Sequence, residues 1–315
     1  MYCIKYKSRK LLARLVCSYI KKYEFSKMNI LLTGVNNYLG QELVSYFLKK
    51  DYRVTCLIRS ETLFYATKKA EENLSTIQGD LIREKYSRSF PEDLDVAFYF
   101  SYYIAERGDI YQELELLSLQ NYIKKARRVN CSHLIYVLPL RSPIIDEVKD
   151  LLEDSYIPYT IIRTSNIVGK DSLLMQIFKK MTKNMTIISN TKLARSRCQP
   201  IALSDAIAYL DFISFNPAVF NQSFDIGGPE ILSYKEMLLE FMKLSKVKRT
   251  VITLPFVHTF FSTFWLSTGG GVPKKIAGAF SKNIQGDLLC ENNKIHDLFP
   301  HTCLTFKEAV REAIS

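Results

Sequence analysis

The stretch Asn29-Ile-Leu-Leu-Thr33-Gly34-Val35-Asn36-Asn37-Tyr38-Leu39-Gly40 decides how this chain is read. A short apolar run of strand length ends in Thr-Gly, and residues 38–50 follow with apolar side chains at helical spacing. A turn between a strand and a helix aims backbone N–H groups and the positive end of the helix dipole at an anion, typically a diphosphate. Gly34 permits the tight turn, and Gly40 lets the helix lie close on the sheet. An ordinary βα turn is the bland alternative, but the strand–turn–helix context favours a phosphate loop.

The same rhythm continues outward. Residues 52–59 (YRVTCLIR), 74–79, 95–102 (DVAFYFSY), 133–138 and 158–163 read as further strands. Residues 60–72, 109–128 and 143–154 read as helices between them. The helix over 109–128 carries Asp109, Glu113 and Glu115 early and Lys124, Lys125, Arg127 and Arg128 late, as a helix dipole prefers. Short apolar strands separated by helices predict a doubly wound α/β domain, a Rossmann-type parallel sheet with helices on both faces. Beyond residue 185 the pattern becomes irregular, with helices over 204–212 and 233–244 around a short strand at 223–227. We therefore expect a basic extension over 1–27, a dinucleotide-binding domain over 28–185, and a smaller α+β cap over 186–315. Elements of the cap are expected to interleave with the core.

The loop resembles the TGxxGxxG fingerprint of the atypical, extended branch of the short-chain dehydrogenase/reductase family, in particular the NmrA-like NAD(P)-binding proteins. Thr33, Gly34 and Gly40 match it, and Asn37 replaces the middle glycine. Asn tolerates a left-handed backbone better than other non-glycine residues, but its side chain is expected to crowd the approach to phosphate. The resemblance implies that Asn36, Tyr38 and Leu39 also border the cofactor. Arg59, ending the second strand, stands where an acid would select NAD, and a guanidinium there suits the 2′-phosphate of NADP. NADP(H) is thus favoured over NAD(H). Gly79-Asp80-Leu81 resembles the family's GDL, with Asp80 and Leu81 near the adenine. Phe100-Ser101-Tyr102, and Leu138 at the end of the fifth strand, would border the nicotinamide side. Residues 159–169 (YTIIRTSNIVG) resemble the sixth strand and the loop that reaches nicotinamide and substrate. Residues 197–205 and 224–234 resemble the cap of a bacterial subgroup in which an extra C-terminal segment of undetermined function follows.

The resemblance also defines what is missing. Better-known relatives use Ser, Tyr and a Lys four residues after the Tyr, the phenol moving a proton while hydride passes to or from nicotinamide. Four YxxxK matches occur here: Tyr6/Lys10, Tyr23/Lys27, Tyr46/Lys50 and Tyr65/Lys69. Two precede the fingerprint and two fall on the first and second helices, far from the nicotinamide end. In the right helix Lys149 has Ile145 four residues before it, and the fifth strand ends Val137-Leu138-Pro139-Leu140 with no Ser. Ketone reduction by the usual relay is not supported. Tyr102, Lys149 and Asn166 remain as weak catalytic candidates, with Tyr103 and His258 behind them.

Charge and cysteines exclude other classes. The chain has 315 residues, 43 Lys and Arg against 32 Asp and Glu, and a formal charge of +11. Residues 1–27 hold eight of those cations and one acid, leaving 35 basic and 31 acidic residues on the rest. Arg14 interrupts the only apolar run there, which argues against a secretory signal. A basic amphipathic anchor or targeting segment competes with a plain extension, and we read an extension because Met28 immediately precedes the first strand. Nucleic-acid binding has no recognisable module behind it. Seven scattered Cys without a CxxC pair, and four His, predict reduced thiols in a cytoplasmic protein and no zinc-finger array or other metal site. Residues 250–273 carry no charge for 24 positions. Pro255 and the Gly269-Gly270-Gly271 run make a poor lipid-facing helix, so a buried strand and a helix walling an apolar pocket are expected. The expected function is NADPH-dependent reduction of a small apolar carbonyl, quinone or enone. The alternatives are a non-catalytic NADP-binding redox sensor or assembly factor, and, less favoured, peripheral membrane contact.

Overall fold

The computed structural model describes residues 27–65, 71–83, 89–101, 109–183, 186–190, 195–254, 278 and 286–315. In chain order it builds β1 (Asn29–Leu32), α1 (Tyr38–Lys49), β2 (Arg53–Ile58), α2 (Glu61–Tyr65), β3 (Leu74–Gln78), β4 (Val96–Phe100), α3 (Asp109–Arg128), β5 (His133–Pro139), α4 (Ile145–Glu153) and β6 (Tyr159–Thr164). Then come β7 (Ile167–Val168), α5 (Leu173–Met181), β8 (Thr186–Asn190), β9 (Arg197–Cys198), β10 (Ile201–Ala202), α6 (Leu203–Ser214), β11 (Gln222–Ile226), β12 (Leu232–Ser233), α7 (Tyr234–Leu244), β13 (Thr250–Leu254), α8 (Lys294–Leu298) and α9 (Phe306–Ile314).

The principal sheet has seven strands in the order β11-β6-β5-β4-β1-β2-β3, all parallel. Strand alternation sorts its side chains into two layers. Ile30, Leu32, Val54, Cys56, Phe98, Ile135, Val137 and Ile162 face the layer made with α1 and α6, where Leu43, Phe47, Tyr209 and Leu210 are buried. Leu31, Leu57, Ala97, Tyr99, Leu134, Tyr136 and Ile161 face the opposite layer, against Leu119, Tyr122 and Ala126 of α3 and Val148 and Leu152 of α4. A third apolar cluster joins α5, α7 and α9 through Phe178, Met181, Met237, Phe241, Phe306 and Val310. Capping boxes start α7 (Ser233 with Glu236) and α9 (Thr305 with Glu308).

The sheet does not end at residue 185. β11 lies beyond that point, yet it pairs with β6 as the outermost strand of the principal sheet. Its place is secured by Arg163 on β6, whose Nε and Nη2 donate to the two Asp225 carboxylate oxygens at 2.6 and 2.9 Å. The Asp225 side chain is wholly buried and also accepts the Glu291 N–H at 2.7 Å, which draws the C-terminal segment onto the same edge. Of the predicted helix over 60–72, Glu61–Tyr65 is helical, residues 66–70 lie outside the described residues, and residues 71–72 are not helical but lead by a turn into β3. Within the charge-free stretch, β13 forms and pairs with β8; Val251 packs against the third apolar cluster, but Ile252 is 45 % exposed and so is not buried as expected. Residues 255–273 and the extension over 1–26 lie outside the described residues. Among the described residues, no helix is long and apolar enough to cross a membrane.

Candidate functional site

The strand order reverses between β1 and β4, and a crevice opens there beyond the carboxyl ends of the strands. Its wall is the loop between β1 and α1. Gly34 adopts φ +62°, and a Cβ on it would stand 2.6 Å from the Cβ of Phe100. Only glycine fits that turn. Gly40 is equally constrained, since a Cβ there would lie 2.7 Å from the Gly34 carbonyl oxygen. Thr33, buried at the strand end, pins β1 to β4. Its N–H donates to the Phe98 carbonyl at 2.9 Å and its hydroxyl accepts the Phe100 N–H at 3.1 Å.

Asn37 does something other than the expected left-handed substitution. Its φ of −84° and ψ of 158° are extended, and its side-chain oxygen accepts the Gly40 N–H at 2.7 Å, capping α1. The amide nitrogen meanwhile lies 3.1 Å from where a Gly34 Cβ would be, so the carboxamide stretches across the loop. The Asn37 side chain thus caps α1 from a position that borders both lobes of the crevice.

Two lobes extend from this loop and share Asn37 and Phe100. The first, of about 120 Å³, is lined by Thr33, Gly34, Asn36, Arg59, Leu81 and Ser118 among others. Arg59 is exposed at its rim. Asp80 turns away, its carboxylate accepting the Ile82 N–H at 2.9 Å, while Gly79 and Leu81 on either side of it face the lobe. The second lobe, of about 300 Å³, is mainly apolar and includes Tyr38, Leu39, Ser101, Leu138, Ser165 and Asn166. Burial, helped by the nearby Glu42 carboxylate, pushes the Tyr38 phenol up to about 12, so it stays protonated. Asn166 donates from Nδ2 to the Tyr234 hydroxyl at 2.7 Å.

The structure therefore brings most of the predicted cofactor residues together: Thr33, Gly34, Asn36, Asn37, Arg59, Leu81 and Phe100 on the first lobe, and Tyr38, Leu39, Ser101 and Leu138 on the second. Gly40 supports the loop from beneath. The catalytic candidates fare differently. Asn166 lines the second lobe, but Lys149 sits on the outer face of α4, 57 % exposed and 3.7 Å from Glu153 one turn on. Tyr102, Tyr103 and His258 lie outside the described residues. The YxxxK match at Tyr46 and Lys50 has a structural partner instead. Both reach Asp211 on α6, at 3.2 and 2.6 Å, and clamp α1 to α6.

One residue of the second lobe went unremarked in the sequence. Ser165 is 6 % exposed, and its Oγ has no hydrogen-bond partner among the described residues. A buried hydroxyl left unpaired costs free energy, and a ligand atom in this lobe would satisfy it. Nothing local distinguishes this Ser from an ordinary strand-end residue. The orphaned hydroxyl at the apolar lobe and the glycine cradle on the loop both fit an extended ligand with a diphosphate at its middle.

No protein-family model matches the chain, and no curated protein matches it. Solved structures with the same fold are numerous and distant in sequence. Citrobacter sp. triphenylmethane reductase, complexed with NADP(H), superposes with a TM-score of 0.69 at 15% identity, over 91% of this chain and 100% of the reductase. A nucleoside-diphosphate-sugar epimerase from Staphylococcus aureus gives 0.65 at 16% identity, over 90% of this chain and 100% of the epimerase. UDP-glucuronic acid 4-epimerase from Bacillus cereus, in complex with UDP-glucuronic acid and NAD, gives 0.66 at 15% identity, over 91% and 98%. At these identities the likeness establishes the α/β Rossmann fold.

Proposed function

We propose that the chain binds NADP(H) along the two joined lobes and passes hydride between its nicotinamide and a small, largely apolar acceptor such as a quinone, an enone or a cationic dye. The observation that carries the reading is the continuous crevice, with a glycine-built anion loop at its centre, Arg59 at one end and an apolar lobe at the other. The loop N–H groups and the α1 dipole would hold the diphosphate. Arg59 at the open rim offers the planar donor set that a 2′-phosphate takes. Ser165, whose hydroxyl has no partner among the described residues, would orient the nicotinamide end or the acceptor. When bound, the cofactor supplies the hydride. A conjugated or cationic acceptor then needs no buried acid from the protein, because solvent can furnish any proton. That suits a site whose α4 carries Ile145 at the usual tyrosine position and turns Lys149 toward Glu153. The fold shared with an NADP(H)-bound triphenylmethane reductase motivates including cationic dyes among the acceptors.

The test is NADPH binding by calorimetry, followed by NADPH oxidation with a panel of quinones, enones and triphenylmethane dyes. Binding with turnover on at least one acceptor class supports the proposal. Binding without turnover favours the second reading, a redox sensor or assembly factor of the NmrA-like type, to which the absent Ser and Tyr point. Absence of binding removes both.

A further inference from the structure

Outside the crevice lining, the start of α6 meets the segment between α8 and α9. Asp205, 3 % exposed, faces His301 across 96 positions of sequence, Oδ1 to Nε2 at 2.7 Å. Cys303 completes the group. One donor atom each from Asp205, His301 and Cys303 lies within 4.8 Å of the other two. The surroundings hold these groups in place. The second Asp205 oxygen accepts the Leu304 N–H at 2.8 Å, which fixes the carboxylate plane. The His301 ring stacks on Phe299 at 5.5 Å, nearly parallel, and meets Tyr209 edge-on at 5.6 Å. The Tyr209 hydroxyl lies 3.3 Å from Cys303 Sγ and 3.1 Å from His296 Nδ1.

We infer that Asp205, His301 and Cys303 supply three ligands of a binding site for a borderline divalent transition metal of the zinc class. A carboxylate, an imidazole and a thiolate are the donor types that zinc takes. Zinc bonds of about 2.0–2.3 Å in a tetrahedron put ligand atoms roughly 3.5 Å apart. Asp205 and His301 stand closer than that, at 2.7 Å, and would separate by less than about 1 Å to admit the ion. Loading needs only side-chain adjustments. Cys303 loses its thiol proton, His301 turns its lone pair to the metal and keeps its proton on the other nitrogen, and the carboxylate gives up the imidazole hydrogen bond. Two anionic ligands then neutralise the dication. The Leu304 N–H on the free Asp205 oxygen and the Tyr209 hydroxyl beside the sulfur supply the outer contacts that orient metal ligands. The role is structural, since the ligands join α6 to the segment leading into α9.

The test uses the full chain, reduced and stripped with a chelator, titrated with Co²⁺ alone and then with Zn²⁺ alone. The expected result is one tight equivalent of Co²⁺ with intense tetrahedral visible bands and a thiolate-to-cobalt charge-transfer band, displaced by Zn²⁺. Cys303→Ser keeps a hydroxyl to meet Tyr209 and is expected to fold. It should abolish the charge-transfer band and weaken binding by more than about tenfold, whereas Cys290→Ser leaves both unchanged. Zn²⁺ should raise the melting temperature of the parent chain and not of the folded Cys303→Ser chain. Failure to bind a tight equivalent, or a charge-transfer band that survives in Cys303→Ser, overturns the site.

Discussion

Replacing Asn37 by Gly separates two effects of one side chain. The carboxamide oxygen holds the Gly40 N–H at 2.7 Å and caps α1, while the side chain itself borders both lobes beside the turn from which a diphosphate would draw its donors. Losing an Asn cap costs about 1 kcal/mol when Ala replaces it and only a few tenths when Gly does. A hydrogen bond to a charged acceptor contributes about 1.5–3 kcal/mol. Removing a carboxamide that stands beside the loop donors restores part of one such contact, roughly 1 kcal/mol, which is about fivefold in affinity. We expect Asn37→Gly to melt about 1 °C lower and to bind NADPH about fivefold tighter in calorimetric titration. Asn37→Asp keeps the cap, so its melting point should hold. Its carboxylate would repel the diphosphate and weaken binding by about tenfold or more. An Asn37→Gly chain that binds NADPH more weakly than the parent would refute this reasoning, because it would make the Asn37 amide nitrogen itself a phosphate donor.

Other outcomes can be checked alongside. Arg59→Ala should weaken NADPH binding by about 10- to 100-fold, the worth of a charge-assisted contact, and leave NADH binding nearly unchanged; equal losses for both would remove Arg59 from the 2′-phosphate. Lys149→Ala should leave any NADPH oxidation rate intact, whereas loss of a true proton donor costs about 100-fold or more, so a large drop would return Lys149 to the mechanism. His133 is completely buried, with its Nε2 2.8 Å from Thr160 Oγ1, and burial pushes its imidazole down to about 3. The folded value lies below the unfolded one, so its contribution to stability is complete above about pH 6.5 and is lost as pH falls toward 3. Urea unfolding at pH 6.5 and 4.5 should show the parent losing about 2 kcal/mol more than His133→Asn; equal losses would show that the buried imidazole does not resist protonation.

Much of the fold was legible in short windows. The alternation of Ile30, Leu31 and Leu32 between the two layers of the sheet, and the Thr-Gly turn before α1, follow from local periodicity. So do the helix bounds at Asp109–Arg128, where the charge order matches the dipole. The loop residues could be placed for the same reason, since a glycine at positive φ leaves a mark on its own position. What local reading missed has a common character. Asn37 was read as a substitute for a left-handed glycine, but its cap depends on where the Gly40 N–H points. Tyr46 and Lys50 had the spacing of a catalytic pair, and their use depends on Asp211 in α6. Lys149 occupied the family's position without the tyrosine, and the helix face it occupies sent it to Glu153.

By itself the sequence determined the layered α/β class, the glycine turn between β1 and α1, and the Ile145 that stands four residues before Lys149, because each is written in residue type and spacing within one strand–turn–helix unit. The tertiary structure alone decided that β11 completes the sheet through Arg163 and Asp225, that the Ser165 hydroxyl finds no partner among the described residues beside an apolar lobe, and that Asp205 meets His301 and Cys303. Those outcomes join positions tens of residues apart, and chain closure over such distances leaves no periodic trace in the residues between.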